Sequence, residues 1–458
     1  MNGSIEETRC LTPAQTGILF MDRLPEVSGF SNLVTELDIE GQLVVEALDA
    51  AFRSLFSRHA LLRSEVVEHF GEWCWRELPV PCRPVRVVDL VALGADTAVQ
   101  AICDTLAEHE RQWIFGMAEG WLRVILCRTS DTGWRLILNR HHVASDGWSF
   151  ALISREIEEA YNAQVRGIPL LSGTAPQYWD YCQYAARQGR DATAVNYWLG
   201  KLADAPREVR FDRPTTAIPI AERAAVADLE VPLDFARRLR SCRVTAFAAL
   251  LATFALVLCR RTGQTDLPVG TDVTTRDRPQ WERVVGLFVN RVVLRIEVTA
   301  GSTVLEFIQS VQRTVSDAVT YRHVPIASLA RQLRTSGSGT PLFNVIFGLH
   351  NNPHHPMHLA GLRAASRPLR SVPSELDLNL YFTNHTAGFT GALAYRESLF
   401  EREWATGFSE EYSDLAAHLP DSLQWRVAAA LDWLEDRHGV LALARRWEAF
   451  QQERAGVR

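Results

Sequence analysis

The chain has 458 residues, 47% of them hydrophobic and 22% charged, with a formal net charge of −6. That length exceeds what one compact core usually organises and points to two domains. The lack of a global positive field argues against a nucleic-acid or membrane-surface protein. Eight cysteines stand apart without a C-x-x-C pair, several inside apolar runs such as VILCR and LVLCR; this is the pattern of buried free thiols in a reducing compartment. The opening MNGSIEETRC is polar and acidic, unlike a signal peptide. The apolar stretch Ala246 to Cys259 is too short to cross a bilayer. A cytoplasmic location is expected.

In chain order, Val44, Ala47, Leu48, Ala51, Phe52 and Leu55 recur at helical spacing and predict an amphipathic helix ending at Arg58-His59. Strand-like runs follow (SEVVEHF, EWCWREL, PVRVVDL), then a helical pattern from Thr97 to Glu110. Two strands come next, Leu122–Arg128 and Gly133–Arg140, joined by the turn residues Ser130-Asp131-Thr132-Gly133. After them Phe150, Ile153, Ile157 and Tyr161 form the apolar stripe of a surface helix. The segment Gly167–Pro176 has the composition of a linker. It sets the expected domains at 1–173, an N-terminal lobe, and 174–458, a C-terminal lobe. The second half repeats the grammar: a strand at Val226–Val231, a helix capped by Thr245 and running to Cys259, and strands at DLPVGTDV, Val292–Val298 and Phe343–Asn351. Mixed strands and helices in both halves predict an α/β protein of two sandwich lobes.

Between the strand ending at Arg140 and the helix with the Phe150 stripe lies NRHHVASDGWSF (Asn139–Phe150). A strand-to-helix turn holds a side chain rigidly while letting it face a cleft. A neutral imidazole is the best general base near pH 7, with an unperturbed pKa of about 6.5. It needs a fixed tautomer and a fixed aim, which backbone geometry or a neighbouring group supplies. Only one of His141 and His142 can face a given cavity; Asp146 is placed to orient a ring or pair with a cation, and Gly147 permits close backbone approach. His142 and Asp146 lack a matched third ligand, so no metal site is expected. The pattern H-H-x-x-x-D-G has a chance occurrence on the order of one in a thousand.

With this pattern the chain resembles the condensation domains of nonribosomal peptide synthetases, within the chloramphenicol-acetyltransferase-like superfamily. The resemblance extends over almost the whole length. LTPAQTGILF (Leu11–Phe20) is similar to the opening family motif, and RHALLRS (Arg58–Ser64) to R-H-x-x-L-R-T with Ser64 for threonine. YWDYCQYAARQ (Tyr178–Gln188) is similar to the Y-x-D-Y segment, VGLFVNR (Val285–Arg291) to I-G-x-F-V-N-T, and TPLFNVIF (Thr340–Phe347) to a later strand motif. Two departures are visible. In TYRHVPIASL only Pro325 survives of H-Q-D-x-P-F-E, and Arg291 replaces the customary threonine after Asn290.

The resemblance implies two chloramphenicol-acetyltransferase-like α/β lobes forming a V-shaped pseudodimer with a central tunnel. It implies that His142 is the base or positioning group, that His141 is structural, and that Asp146 holds the loop by a salt bridge to Arg276. Gly147 would offer its backbone N–H to the developing oxyanion, and Asn290 would line the tunnel. The reaction implied is condensation: an acyl or aminoacyl group, delivered as a thioester on the phosphopantetheine of a peptidyl carrier protein, passes to an amine or alcohol. The acceptor is a small molecule or is held by a second carrier protein. The chain itself needs no cofactor or metal, and a monomer is expected.

Rival readings exist within the same fold. Epimerisation domains share the double histidine but usually show E-G-H-G-R-E where this chain has GTDVTTRDRP. A non-catalytic module that recruits carrier or tailoring proteins typically lacks the intact histidine motif. An acyltransferase of the same fold acting on lipid or polyketide alcohols is a third. The second histidine pair, in NNPHHPMHLAG, reads as a proline-bounded loop, and the arginines of FARRLRSCR as a solvated helix face. No adenylation or carrier-type signature is found, so at natural length the enzyme is expected to be free-standing with a soluble acceptor.

Overall fold

The computed structural model describes residues 9–23, 29–94, 96–113, 120–169, 175–211, 222–333, 342–351, 355–367, 372–374, 376–385 and 388–439. The expected boundary at 173/174 lies outside these residues, as do Thr340 and His354 of the motifs above.

The N-terminal half runs β1 (Arg9–Cys10), α1 (Pro13–Met21), β2 (Asn32–Glu40), α2 (Val45–Arg58), β3 (Ser64–His69), β4 (Glu72–Glu77), β5 (Val85–Asp89), α3 (Asp96–Arg111), β6 (Leu122–Arg128), β7 (Gly133–His141) and α4 (Gly147–Val165). Then come α5 (Tyr178–Gln188), α6 (Ala192–Leu202), β8 (Glu222–Glu230), α7 (Phe235–Leu239), α8 (Ala246–Thr262), β9 (Asp266–Thr274) and β10 (Val289–Glu297). The remainder is α9 (Val304–Thr320), α10 (Ile326–Leu333), β11 (Val345–His350), β12 (Arg363–Ser366), β13 (Val372–Ser374), β14 (Leu378–His385), β15 (Gly388–Arg396) and α11 (Arg402–His418). Both halves therefore carry α/β architecture, as the alternation of helical and strand periods predicts.

Among the described residues the strands form three sheets. β12-β2-β7-β6-β5 belongs to the first lobe, β10-β9-β11-β14-β15-β8-β13 to the second, and β1-β4-β3 is a small satellite. The second lobe is packed around α8. This helix is apolar on every side and buried from Ala248 to Cys259, as such a helix must be in water. Thr245 caps it by accepting from the Ala248 N–H. No single helix among the described residues is long and apolar enough to cross a membrane.

The two halves of the sequence are not two separate cores. β12, from the second half, pairs antiparallel with β2 and completes the first sheet. The first-lobe core around Leu48, Phe52, Leu136 and Leu138 also includes Tyr178 and Tyr181 of α5, and Trp281, Val285 and Phe288 from the loop before β10. Tyr178 donates its hydroxyl to the Leu287 carbonyl at 2.5 Å, and its ring lies against Gly286 where a Cβ would stand. This contact dictates a glycine for steric reasons; its φ is not positive. Gly286→Ala is expected to cost about 1–3 kcal/mol through overpacking, read as a lower denaturant midpoint. Adding Tyr178→Leu should recover part of that loss, because the clash is with the ring.

Candidate functional site

β7 delivers the double histidine. Its backbone pairs with β2 up to Asn32↔His141, and the His142 N–H continues the attachment by donating to the Ser31 carbonyl at 2.8 Å. A short 3-10 turn (His142–Ala144) follows, and α4 begins at Gly147 with Asp146 as its N-cap. The turn is fastened from below by Gln15, whose Nε2 donates to the Val143 carbonyl at 2.8 Å. Gln15 is itself held in a capping box with Thr12, so the opening LTPAQ segment props up the histidine loop.

The two histidines are in opposite circumstances. His141 is 4% exposed and stacks near Trp121, with ring centroids 5.0 Å apart. Its Nδ1 accepts from the Val143 N–H at 3.1 Å, so the proton must sit on Nε2, which lies 2.7 Å from the Asp22 carboxylate. His141 is thereby locked in one tautomer behind the loop. His142 is half-buried, and its Nδ1 is shut off from solvent with no hydrogen-bond partner. Burial pulls its pKa below the ordinary histidine value. Its own backbone carbonyl and the carboxylates of Asp272 and Asp146 work against that fall, and Arg291 adds to it. The ring is therefore neutral at pH 7. An acceptor and no donor beside Nδ1 favours the proton there and leaves Nε2 as the basic nitrogen.

Asp146 is 3% exposed and accepts from four donor groups. Oδ1 takes the Ser149 N–H at 2.7 Å, and Oδ2 takes the Phe288 N–H at 3.0 Å. Arg276 Nη2 approaches both oxygens, at 3.2 and 3.4 Å. The same guanidinium donates through Nη1 to the carbonyls of Trp281 and Val284, through Nη2 to Ser149 Oγ, and sits 3.9 Å from the Phe288 ring centre. Burial lowers the Arg276 pKa while Asp146 opposes the change. Ser149 Oγ in turn donates to the Gly286 carbonyl and accepts its N–H. The salt bridge anticipated between the motif and the second lobe is present and belongs to a wider latch.

Gly147 is exposed at the first position of α4, where helix N–H groups have no intrahelical partner. Asn290, expected to line a passage, is turned elsewhere. It is 8% exposed and donates to the carbonyls of Arg322 and Val324, securing the turn before α10. Strand alternation explains this, since Asn290 shares its face with the core residues Val292 and Leu294. The opposite face carries Arg291, paired with Asp272 at 3.1 Å.

Two further groups near the motif escape sequence reasoning. Arg140 is 5% exposed, held by the hydroxyls of Ser145 and Thr35, and stacked 3.7 Å from the Phe150 ring centre; burial lowers its pKa to about 9. Asp272 is pushed up by burial, but Arg291, the Tyr381 hydroxyl and His142 outweigh this and hold it below the usual carboxylate range. The other histidine-rich loop finds a plain use: His355 Nε2 and the His358 N–H both reach Glu158 of α4. Of the FARRLRSCR arginines, Arg238 pairs with Asp421. Among the described residues no group of three or more His, Cys, Asp or Glu is gathered to hold a metal.

Comparison with known proteins extends the geometry. The condensation-domain family model matches residues 5–424. The chain is 32% identical over 412 residues to phosphinothricin tripeptide synthetase PhsB of Streptomyces viridochromogenes, covering 86% of this chain and 34% of that protein. It is 28% identical over 453 residues to nonribosomal peptide synthetase kk1B of Curvularia clavata, covering 94% of this chain and 3% of that one. The chain thus spans about a third or less of these relatives' lengths. In fold it is similar to the X-domain from teicoplanin biosynthesis, with a TM-score of 0.81 and 23% identity over 93% of this chain and 98% of the other. It is also similar to the first condensation domain of the calcium-dependent antibiotic synthetase, with a TM-score of 0.73 and 20% identity over 92% and 98%. The double-histidine turn, its latch to the second lobe and the near full-length match lead to one assignment: this chain belongs to the condensation-domain family of nonribosomal peptide synthetases.

Proposed function

We propose that the chain transfers an acyl or aminoacyl group from the phosphopantetheine thioester of a peptidyl carrier protein onto an amine or alcohol. The observation that carries this reading is the state of His142: a half-buried, neutral ring held at the lobe junction by neighbours that are themselves locked. The acceptor's nitrogen or oxygen attacks the thioester carbon, and the carbonyl oxygen takes the negative charge. The N–H of Gly147, at the start of α4, is the donor proposed for that oxygen. As the tetrahedral intermediate forms, His142 Nε2 accepts the proton from the attacking atom. The carbon–sulfur bond then breaks and the imidazolium returns that proton to the leaving thiolate, so an amide or ester and a free thiol result. In this scheme the pantetheine arm belongs to the carrier, and the chain's own residues only position and move a proton.

A second reading is favoured by the likeness in fold to the teicoplanin X-domain, which has also been solved in complex with OxyB. A recruiting platform would bind a carrier or tailoring protein without turning over the thioester. The two are separated by supplying an aminoacyl carrier with candidate amines and alcohols and analysing the products by mass spectrometry. Transfer that depends on His142 supports catalysis. Binding without transfer supports recruitment, and a racemised donor alone points to epimerisation.

His142→Ala should slow transfer to an alcohol by about 10²- to 10⁴-fold. The loss should be smaller for an amine, whose bonded ammonium gives up its proton readily. The melting temperature should stay near that of the parent. Because burial lowers the folded pKa of His142, the acid limb of kcat/KM should have its midpoint below the ordinary value of about 6.5, measured with a pH-insensitive donor. Asp146→Asn should behave differently, losing stability and transfer together. Removing one charge of a buried pair costs about 3–5 kcal/mol, and a cycle with Arg276→Met should reveal strong coupling.

A further inference from the structure

The helix-free face of the second-lobe sheet carries a polar row that the mechanism above does not use. On β9, Leu267 and Val269 point into the helix-packed core, so Asp272 lies on the other face. The same parity puts Arg291 of β10, Gly348 and His350 of β11, and Tyr381 of β14 beside it. Asp272 stands directly opposite Arg291 in the register and accepts from its Nε at 3.1 Å through Oδ1. Oδ2 accepts from the Tyr381 hydroxyl at 2.9 Å. The Tyr381 ring lies across Gly348, where a side chain would displace it. The His350 ring is stacked on Tyr381, with centroids 4.8 Å and planes 7° apart.

Two carboxylates are close enough for their charge to be felt at His142, Asp272 and Asp146. They differ in what they can still do. The Asp146 side chain is 4% exposed and its oxygens are taken up by the latch. The Asp272 side chain is 29% exposed, and its two donors leave each oxygen with a lone pair to offer. The charged and titratable groups around it are Arg291, His142, His350 and the Tyr381 phenol. Burial keeps both imidazoles neutral, so neither repels a cation. Arg291 is committed to Asp272 through Nε.

We propose that Asp272 binds the ammonium of the acceptor and holds it beside His142, so that the preferred acceptor is a primary amine that arrives as a cation. This rests on the acyl-transfer reading. A bound ammonium passes one proton to neutral His142, which releases it to solvent. The free amine then attacks the thioester as above, and the second nitrogen proton follows the path through His142 to the thiolate. One proton is released per turnover. Asp272 is a positioning residue in this scheme.

The test uses the whole chain with 13C-labelled histidine, the His142 and His350 signals being assigned with His142→Ala and His350→Ala. n-Butylammonium chloride should shift both signals at a concentration at least tenfold below that needed for n-butanol at matched ionic strength. Asp272→Asn, or Asp272→Ser should the first fail to fold, should abolish that preference, while Tyr381→Phe, which keeps the charge, should retain it. Equal responses of the parent chain to the two probes, or an undiminished preference in a folded Asp272 variant, overturn the inference. With a working transfer assay, Asp272→Asn should raise KM at least tenfold for amines and leave alcohols unaffected; an unchanged amine KM also overturns it. A parent chain that prefers butylammonium but transfers nothing refutes the acyl-transfer reading and leaves the ammonium site standing.

Discussion

One carboxylate organises the junction of the two lobes. Asp146 terminates the histidine loop and starts α4 by capping it, which is a local act of helix formation. Its other oxygen is used at long range, by the Phe288 N–H and the Arg276 guanidinium of the second lobe. A buried carboxylate is unfavourable unless its charge and lone pairs are met, so the loop cannot take this shape unless the second lobe is in register with it. The position of His142 is thus a consequence of tertiary packing more than of its own turn. That is why Ser149, Gly286 and Tyr178, none of which needs to touch a substrate, belong to the same unit.

The sequence carried much of this because local periodicity and local chemistry coincide. The strand pair Leu122–Arg128 and Gly133–His141, the buried helix after Thr245 and the strand-to-helix setting of the motif follow from spacing and capping alone. The Asp146–Arg276 contact came from resemblance, since nothing local links residues 130 positions apart. Asp22 and Gln15 were not legible. Asp22 is an isolated acid whose partner is His141, and Gln15 reads as an ordinary helix-cap residue until Val143 is folded against it. The use of β12 in the first sheet was equally hidden, because RAAS has neither strand period nor apolar face.

Asn290 and Arg291 show how a motif and a period can disagree. The motif draws attention to Asn290, but the alternation through Val292 and Leu294 assigns it to the helix-covered face. The same alternation puts Arg291 on the face where Asp272 waits in register. What parity does not reveal is which face of the sheet meets the other lobe, and that depends on where α8, α9 and α11 pack. The departure from threonine at Arg291 acquires a physical meaning only once that face is known: a lone Asp272 at this depth would face burial with little to offset it, and Arg291 with Tyr381 keeps it ionised.

Burial has opposite consequences for the two kinds of group at this junction. It keeps His142 neutral, which a base requires, but also makes the ring a weaker acceptor of protons. Full burial among apolar side chains would carry that weakening too far. The charges of Asp272 and Asp146 oppose it, so the basicity of His142 is set by carboxylates from both lobes, one belonging to its own motif and one to the facing sheet. The double histidine alone therefore does not define the site. Its proton affinity depends on whether the second lobe brings Asp272 to the junction, and the lobe does so only when the Asp146 latch is closed.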